Sequence, residues 1–352
     1  MSGLSDAEVL CFAEGGVGRI RLNRPKAIHA LTLGMCEAMI EALLGWRDDP
    51  LIRMIMIDHA EGRGFCAGGD IRFIADSGAG DGHDAARFFF TEYRLDHLLF
   101  TYPKPVVAFM DGITMGGGVG ISQPARYRVA TERTVYAMPE SGIGLLPDVG
   151  GGWYLSRLPG RTGPYLALTG ARIDGGESVA LGLATHFIPA ENLDQVKQTL
   201  LADPGQVDAV LAQAEIAPPS AAILDHRGQI DRLFASDRLE DVLAALAEDG
   251  SEWAEKQLAT LATKSPQTCK ASLRLLAESL MLSDFADEMR SEYRVTTRIC
   301  RRHDFIEGVR ALIVDKDNAP KWNPATPEGV TDAMIDELFA PLPSGEEWTP
   351  LP

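Results

Sequence analysis

Glu140 and Asp148 stand eight residues apart in Ala137–Gly152, AMPESGIGLLPDVGGG, a stretch otherwise built mostly of glycine, proline and apolar residues. Apolar surroundings disfavour a bare carboxylate, so an acid placed there keeps its proton longer or finds a partner. Two carboxyls in one pocket can divide acid, base and nucleophile roles between them. The plain alternative is a pair of loop acids facing water, where Asp and Glu usually sit.

Two glycine-rich turns lie upstream. Gly64-Phe65-Cys66-Ala67-Gly68-Gly69-Asp70 follows the apolar run Ile52–Ile57 and precedes the helix-like Ile71–Ile74. Gly112–Gly120, GITMGGGVG, follows a second apolar run, Pro105–Met110. N–H groups at a helix start have no intrahelical acceptor, and small residues let a ligand approach them. Neither turn meets the dinucleotide GxGxxG or the phosphate-binding GxxxxGK[ST] pattern. Two such turns side by side would aim two N–H donors at one carbonyl oxygen, an oxyanion hole of the kind that acyl or enolate chemistry needs.

The elements that must position these turns follow from periodicity. Val9–Ala13 and Val17–Leu22 flank Glu14-Gly15-Gly16 and predict a hairpin. Leu31–Trp46 and Ala85–Leu99 carry helical spacing, and Tyr127–Ala130 and Val135–Ala137 read as short strands. Strand and helix alternate, which predicts an α/β core of crossover units. From Asn192 onward Ala/Leu-rich helices dominate, one of them opened by Ser265-Pro266, and Asn318–Pro352 reads as a surface tail. The expected division is a core over 1–195 and a helical region over 196–352.

Of the 352 residues 45% are hydrophobic, and the net charge is −17. So acidic a chain repels nucleic acid and anionic membrane, so neither is an expected partner. The five cysteines form no CxxC pair, which fits a reducing compartment. The first residues carry neither a secretory nor an Arg-rich transit pattern, and no apolar run approaches ~20 residues. The expectation is a cytoplasmic protein.

Leu22-Asn23-Arg24-Pro25-Lys26, Phe65–Asp70, Gly116-Gly117-Gly118 and Met138-Pro139-Glu140 resemble, in order and spacing, the crotonase (enoyl-CoA hydratase/isomerase) superfamily. GITMGGGVG, AMPESGIGLLPDVGGGWYLSRL and HDFIEGVRALIVDKDNAPKW are similar to its 3-hydroxyisobutyryl-CoA hydrolase branch. The resemblance implies a crotonase fold of β-β-α repeats and hydrolysis of an acyl-CoA thioester in valine degradation. The thioester oxygen would be held by the N–H groups of Gly69 and Gly117, with Gly68 beside them. Glu140 would attack the carbonyl or activate water, Asp148 would bind the 3-hydroxyl, and Glu92 would contact the acyl end. Lys26, Lys104 and Arg72 are candidates for the coenzyme's phosphates. No cofactor is implied beyond coenzyme A, itself part of the substrate, and a homo-oligomer is left open. Hydratases of the superfamily carry a second glutamate where this chain has Gly120, which weakens the alternative of a hydratase or isomerase acting on a short-chain acyl-CoA. A non-catalytic acyl-CoA binder is the third reading. His29, Cys66 and Trp322 read as structural.

Overall fold

The two long apolar runs each prove to be the first half of a strand pair. The computed structural model describes residues 7–352. It contains ten strands: β1 (Val9–Glu14), β2 (Val17–Leu22), β3 (Met54–His59), β4 (Gly64–Cys66), β5 (Val106–Met110), β6 (Ile113–Met115), β7 (Tyr127–Ala130), β8 (Val135–Ala137), β9 (Ile173–Asp174) and β10 (His186–Phe187). β1 and β2 form the expected antiparallel hairpin. β2, β3, β5, β7 and β10 then run parallel in a six-stranded sheet of order β1-β2-β3-β5-β7-β10. The short strands β4, β6 and β8 form a second sheet of order β4-β6-β8-β9, the first three parallel.

Each repeat therefore sends one strand to each sheet before it turns into a helix. The sequence reading ran the glycine turns directly onto the long strands and passed over β4 and β6. Both are three residues long and lie inside the glycine-rich turns, so neither shows a period-two pattern of its own. This detail sets the site. Because β4, β6 and β8 are adjacent and parallel, the chain leaves all three at the same end of one sheet. Gly68-Gly69, Gly116-Gly117 and Glu140 follow those three strands, so the topology gathers them.

Helix α1 (Leu33–Arg47) is capped by Thr32, whose Oγ1 accepts from Met35 N at 3.3 Å. It packs against α3 (His83–Phe100), which carries Glu92 on its buried face. Between them, α2 (Ile71–Gly78) is capped by Asp70. α4 (Gly117–Gly120) follows β6, and α5 (Gly151–Ser156) follows Asp148. Beyond residue 192 the described elements are helical, and several of them share the main core instead of standing apart from it. Leu275, Phe285, Met289, Val295 and Trp348 belong to the same buried cluster as Ile20, Ile57 and Phe88. Even the tail joins it, since Trp348 is fully buried and its indole N–H donates to Phe90 O at 3.1 Å. No described helix is long and apolar enough to cross a membrane.

Candidate active site

Gly68, Gly69, Glu92, Gly117, Glu140 and Asp148 line one cavity of about 340 Å³. Its walls are apolar, with Ile74, Phe88, Phe89, Met115 and Leu145 among them, while Arg172, Leu312, Ile313 and Asn318 complete its lining. The four carboxyls at or behind it are almost wholly buried: Glu92 is 2% exposed, Asp96 0%, Glu140 5% and Asp148 4%.

The two glycine turns abut. A Cβ built on Gly68 would lie 3.7 Å from Gly117 N, and one built on Gly116 would lie 3.3 Å from Gly68 Cα and 3.2 Å from Glu140 Oε1. Neither the Gly69 nor the Gly117 N–H meets an acceptor among the described residues. At Gly117 the close approach demands glycine: a Cβ there would stand 2.4 Å from Glu92 Oε1 and 3.0 Å from Leu31 Cδ1. The result is a pair of unpaired amide donors, a glutamate on either side of the second turn, and an aspartate opposite.

The carboxyls differ in their support. Tyr93 O–H donates to Asp148 Oδ2 at 2.7 Å. Burial pushes the Asp148 carboxyl up from 3.8 to about 6, against that bond and the residue's own backbone N–H, which both lower it. Glu140 is raised well above its ordinary value, chiefly by burial and then by the Asp148 charge. Glu92 is raised likewise by burial, then by Asp96, Asp148 and Glu140. No donor among the described residues reaches Glu92 Oε1, Glu140 Oε2 or either Asp96 oxygen. A neutral carboxyl tolerates such an oxygen far better than a carboxylate does. Asp148 is therefore the member that ionises first, and its charge keeps the proton on Glu140.

Gly120 is closed by its surroundings. A Cβ there would meet Val149 Cβ at 2.8 Å and the two Asp96 oxygens at 2.9 and 3.0 Å. An acid side chain has no room to enter the cavity from that position.

The cations are distributed differently from the sequence expectation. Lys26 stands exposed in the short turn Pro25–Ala27 and does not line the cavity. Lys104 is corrected to a structural role: its ammonium donates to Trp46 O at 2.5 Å and Asp49 O at 2.6 Å, satisfying carbonyls at the end of α1 that would otherwise lack partners. Arg72 donates to Ile313 O at 2.7 Å, tying α2 to a segment that lines the cavity. Arg172, which the sequence reading missed, lines the cavity and is exposed, with no ion-pair partner among the described residues. It sits just before β9 in a segment with no motif to mark it.

The residues read as structural behave so. His29 Nδ1 accepts from Arg24 N at 2.9 Å, which leaves Nε2 as the donor to Glu61 O at 2.8 Å. The Cys66 thiol is buried, donates to His29 O at 3.2 Å and is pushed by burial up to about 12, so it is no nucleophile. The Trp322 indole donates to Thr263 O at 3.1 Å.

The sequence profile of the enoyl-CoA hydratase/isomerase family matches residues 17–339. The chain belongs to the enoyl-CoA hydratase/isomerase family. Similar family members include the mitochondrial 3-hydroxyisobutyryl-CoA hydrolase of Gallus gallus, 42% identical over 96% of this chain and 90% of that protein. The Homo sapiens protein of the same name is 41% identical over 98% of this chain and 92% of its own length. Among solved structures, a carnitinyl-CoA dehydratase from Mycobacterium thermoresistibile is 42% identical with a TM-score of 0.93, covering 98% of this chain and 99% of that one. An enoyl-CoA hydratase from Rhodobacter sphaeroides is 37% identical with a TM-score of 0.90, covering 97% and 100%. These family members bear the names of different reactions, so the chemistry of the site must choose between them.

Proposed function

We propose that this chain hydrolyses the thioester of a short 3-hydroxyacyl-CoA, 3-hydroxyisobutyryl-CoA first, to the free acid and coenzyme A. The observation that carries the reading is one cavity holding two unpaired glycine N–H donors beside Glu140 and Asp148, with position 120 sealed. The Gly69 and Gly117 N–H groups polarise the thioester oxygen and stabilise the tetrahedral oxyanion. Water adds its oxygen to the acyl carbon, the C–S bond breaks, and the thiolate takes up a proton. Glu140 either removes the proton from that water or first attacks the carbonyl itself to give an anhydride that water opens.

Glu140 must lose its proton for either route. Asp148 holds that proton in place by its charge, and a substrate 3-hydroxyl donating to Asp148 spreads the charge and weakens the hold. The substrate's own hydroxyl thus helps to ionise Glu140, and a thioester without it leaves the site protonated. Glu92 fixes the polar acyl end, and Arg172 is the exposed cation available to the coenzyme's phosphates.

Dehydration or hydration across a C–C bond uses a second acid opposite Glu140, and the filled space at Gly120 argues against it. An isomerase would need only Glu140, yet it would seat an apolar acyl chain against buried Asp148 at a heavy desolvation penalty. The reading extends to valine breakdown and to a cytoplasmic setting. The five free cysteines suit a reducing compartment, the curated relatives are named mitochondrial, and cell fractionation decides between the two.

The test is thiol release from 3-hydroxyisobutyryl-CoA, 3-hydroxypropionyl-CoA, isobutyryl-CoA and crotonyl-CoA, read with a thiol-reactive chromophore. Rapid release from the first two, and its loss in Glu140→Gln and Asp148→Asn, is the expected result. Water addition to crotonyl-CoA without thiol release overturns the proposal.

A further inference from the structure

The turn that carries Asp148 is strained. Val149, a β-branched residue, is held at φ +54°, followed by Gly150 at φ +85°. A non-glycine residue in that region persists only where its surroundings over-determine it. The surroundings here come from the C-terminal half. Along the helix Phe285–Ile299, residues Glu288, Glu292 and Thr296 recur every four positions, so they share one face, and each is fully buried.

That face reaches the turn through Glu292. Glu292 Oε2 accepts from Gly150 N at 2.8 Å, and its Oε1 accepts from Gly152 N at 3.1 Å. These are the orphan amides at the start of α5, directly after Asp148 and Val149. Glu288 Oε1 accepts from Ser279 Oγ at 2.8 Å. Thr296 Oγ1 lies 3.2 Å from Tyr93 OH. Thr296 Oγ1 gives its own hydrogen to Glu292 O at 3.0 Å, so toward Tyr93 it is an acceptor, and the phenol's hydrogen is shared between Asp148 Oδ2 and Thr296 Oγ1.

We infer that Glu288, Glu292 and Thr296 form a positioning stripe that sets the place and charge of Asp148, Glu292 through the two amides and Thr296 through Tyr93. The inference rests on the hydrolase reading above. None of the three lines the cavity, so they are positioning residues. The groups facing this assembly are Glu92, Tyr93 and Asp96 from α3, Glu140 from the third turn, Tyr154 and neighbouring Arg157 at α5, and Glu288 beside Glu292. Glu292 takes one amide on each of its oxygens, while burial lifts Glu288 to about 7 and raises Glu292 well above its ordinary value, so the adjoining pair holds a proton between its members.

The test uses the full chain and steady-state thiol release from 3-hydroxyisobutyryl-CoA across pH. Thr296→Val keeps the side-chain shape and removes the hydroxyl. It should lower kcat about tenfold with little change in KM, because Tyr93 loses a contact that fixes it. It should also move the acid limb of kcat/KM upward, since the Tyr93 hydrogen then goes to Asp148 alone, Asp148 stays ionised to lower pH, and its charge holds the proton on Glu140. Thr296→Ser should restore both. In a Tyr93→Phe background, Thr296→Val should have no further effect. Wild-type kcat and pH profile in Thr296→Val overturn the inference, as does a lowered melting temperature with kinetics unchanged, or full additivity with Tyr93→Phe. Glu292→Gln, which keeps one acceptor and loses the other, should lower kcat in the same way, and unchanged kinetics there count against it. Asp148→Asn is the control: undiminished thiol release in that variant sinks the hydrolase reading itself, whereas its loss alongside a normal Thr296→Val sinks only the stripe.

Discussion

Replacing Gly117 by alanine adds one methyl at the most crowded point of the cavity. The new Cβ would stand 2.4 Å from Glu92 Oε1 and 3.0 Å from Leu31 Cδ1. The first distance is roughly 1 Å short of ordinary contact, so Glu92 or the Gly117 backbone must move by about that amount. Leu31 is fully buried and Glu92 lies on the long helix α3, so much of the displacement falls on the turn that presents the Gly117 N–H. A misplacement of about 1 Å, or loss of one oxyanion donor, each lowers kcat by about 10²–10³. The variant should therefore retain about 1% or less of wild-type thiol release from 3-hydroxyisobutyryl-CoA, with KM raised because Glu92 has shifted. Gly34→Ala is the matched control, since nothing lies within 4 Å of a Cβ there on the surface of α1. That variant should keep full activity and melt slightly higher, helix glycine being disfavoured by about 0.5–1 kcal/mol relative to alanine. Gly117→Ala with more than a third of wild-type kcat would refute the assignment of that amide to the reacting oxygen.

Gly120→Glu should not create a hydratase. It should lower stability by overpacking against Val149 and Asp96, and a well-folded variant that hydrates crotonyl-CoA, followed by loss of enoyl absorbance, would contradict the packing argument. The acid limb of kcat/KM should lie above the ordinary glutamate value of 4.5, because burial and Asp148 both hold the proton on Glu140. Asp148→Asn removes a neighbouring negative charge, so the limb of the residual activity should move to lower pH; no movement, or an upward one, refutes that coupling. Lys104→Met should leave KM for every thioester unchanged while lowering stability by about 1–2 kcal/mol in a denaturant melt, the loss of its charged bonds to Trp46 O and Asp49 O.

The chain's chemistry was legible where residue type and spacing met in one stretch. Glu140, Asp148 and the two glycine turns stand out because acids and glycines in apolar surroundings have few other reasons to be there. The long strands, the hairpin and the helical second half followed from periodicity. What stayed hidden lacked a local signal. β4 and β6 are three residues each, and Lys104 looks like any surface lysine until its two carbonyl partners are seen. Glu288 and Glu292 sit on a helix rich in charge, where acids four apart read as a solvated face. The usable clue was their register. They immediately precede Met289 and Tyr293, which are buried and follow Phe285 at four-residue steps, so the acids border the apolar stripe rather than oppose it.

Positions 120 and 148 are one structural choice, not two. The turn after Asp148 folds back so that Val149 Cβ lies 2.8 Å from where a side chain at 120 would begin, and the Asp96 carboxyl fills the space beside it. A glutamate at 120 would need the Asp148 turn moved aside; a turn held where it is requires glycine at 120. The clamp from the C-terminal helix works on this same turn, through Gly150 N and Gly152 N. On the proposed reading, the place of one strained turn is what directs a fold that can host addition of water to a double bond toward thioester cleavage. Holding that turn takes residues more than a hundred positions further along the chain, which gives the helical second half a reason to share the core of the first.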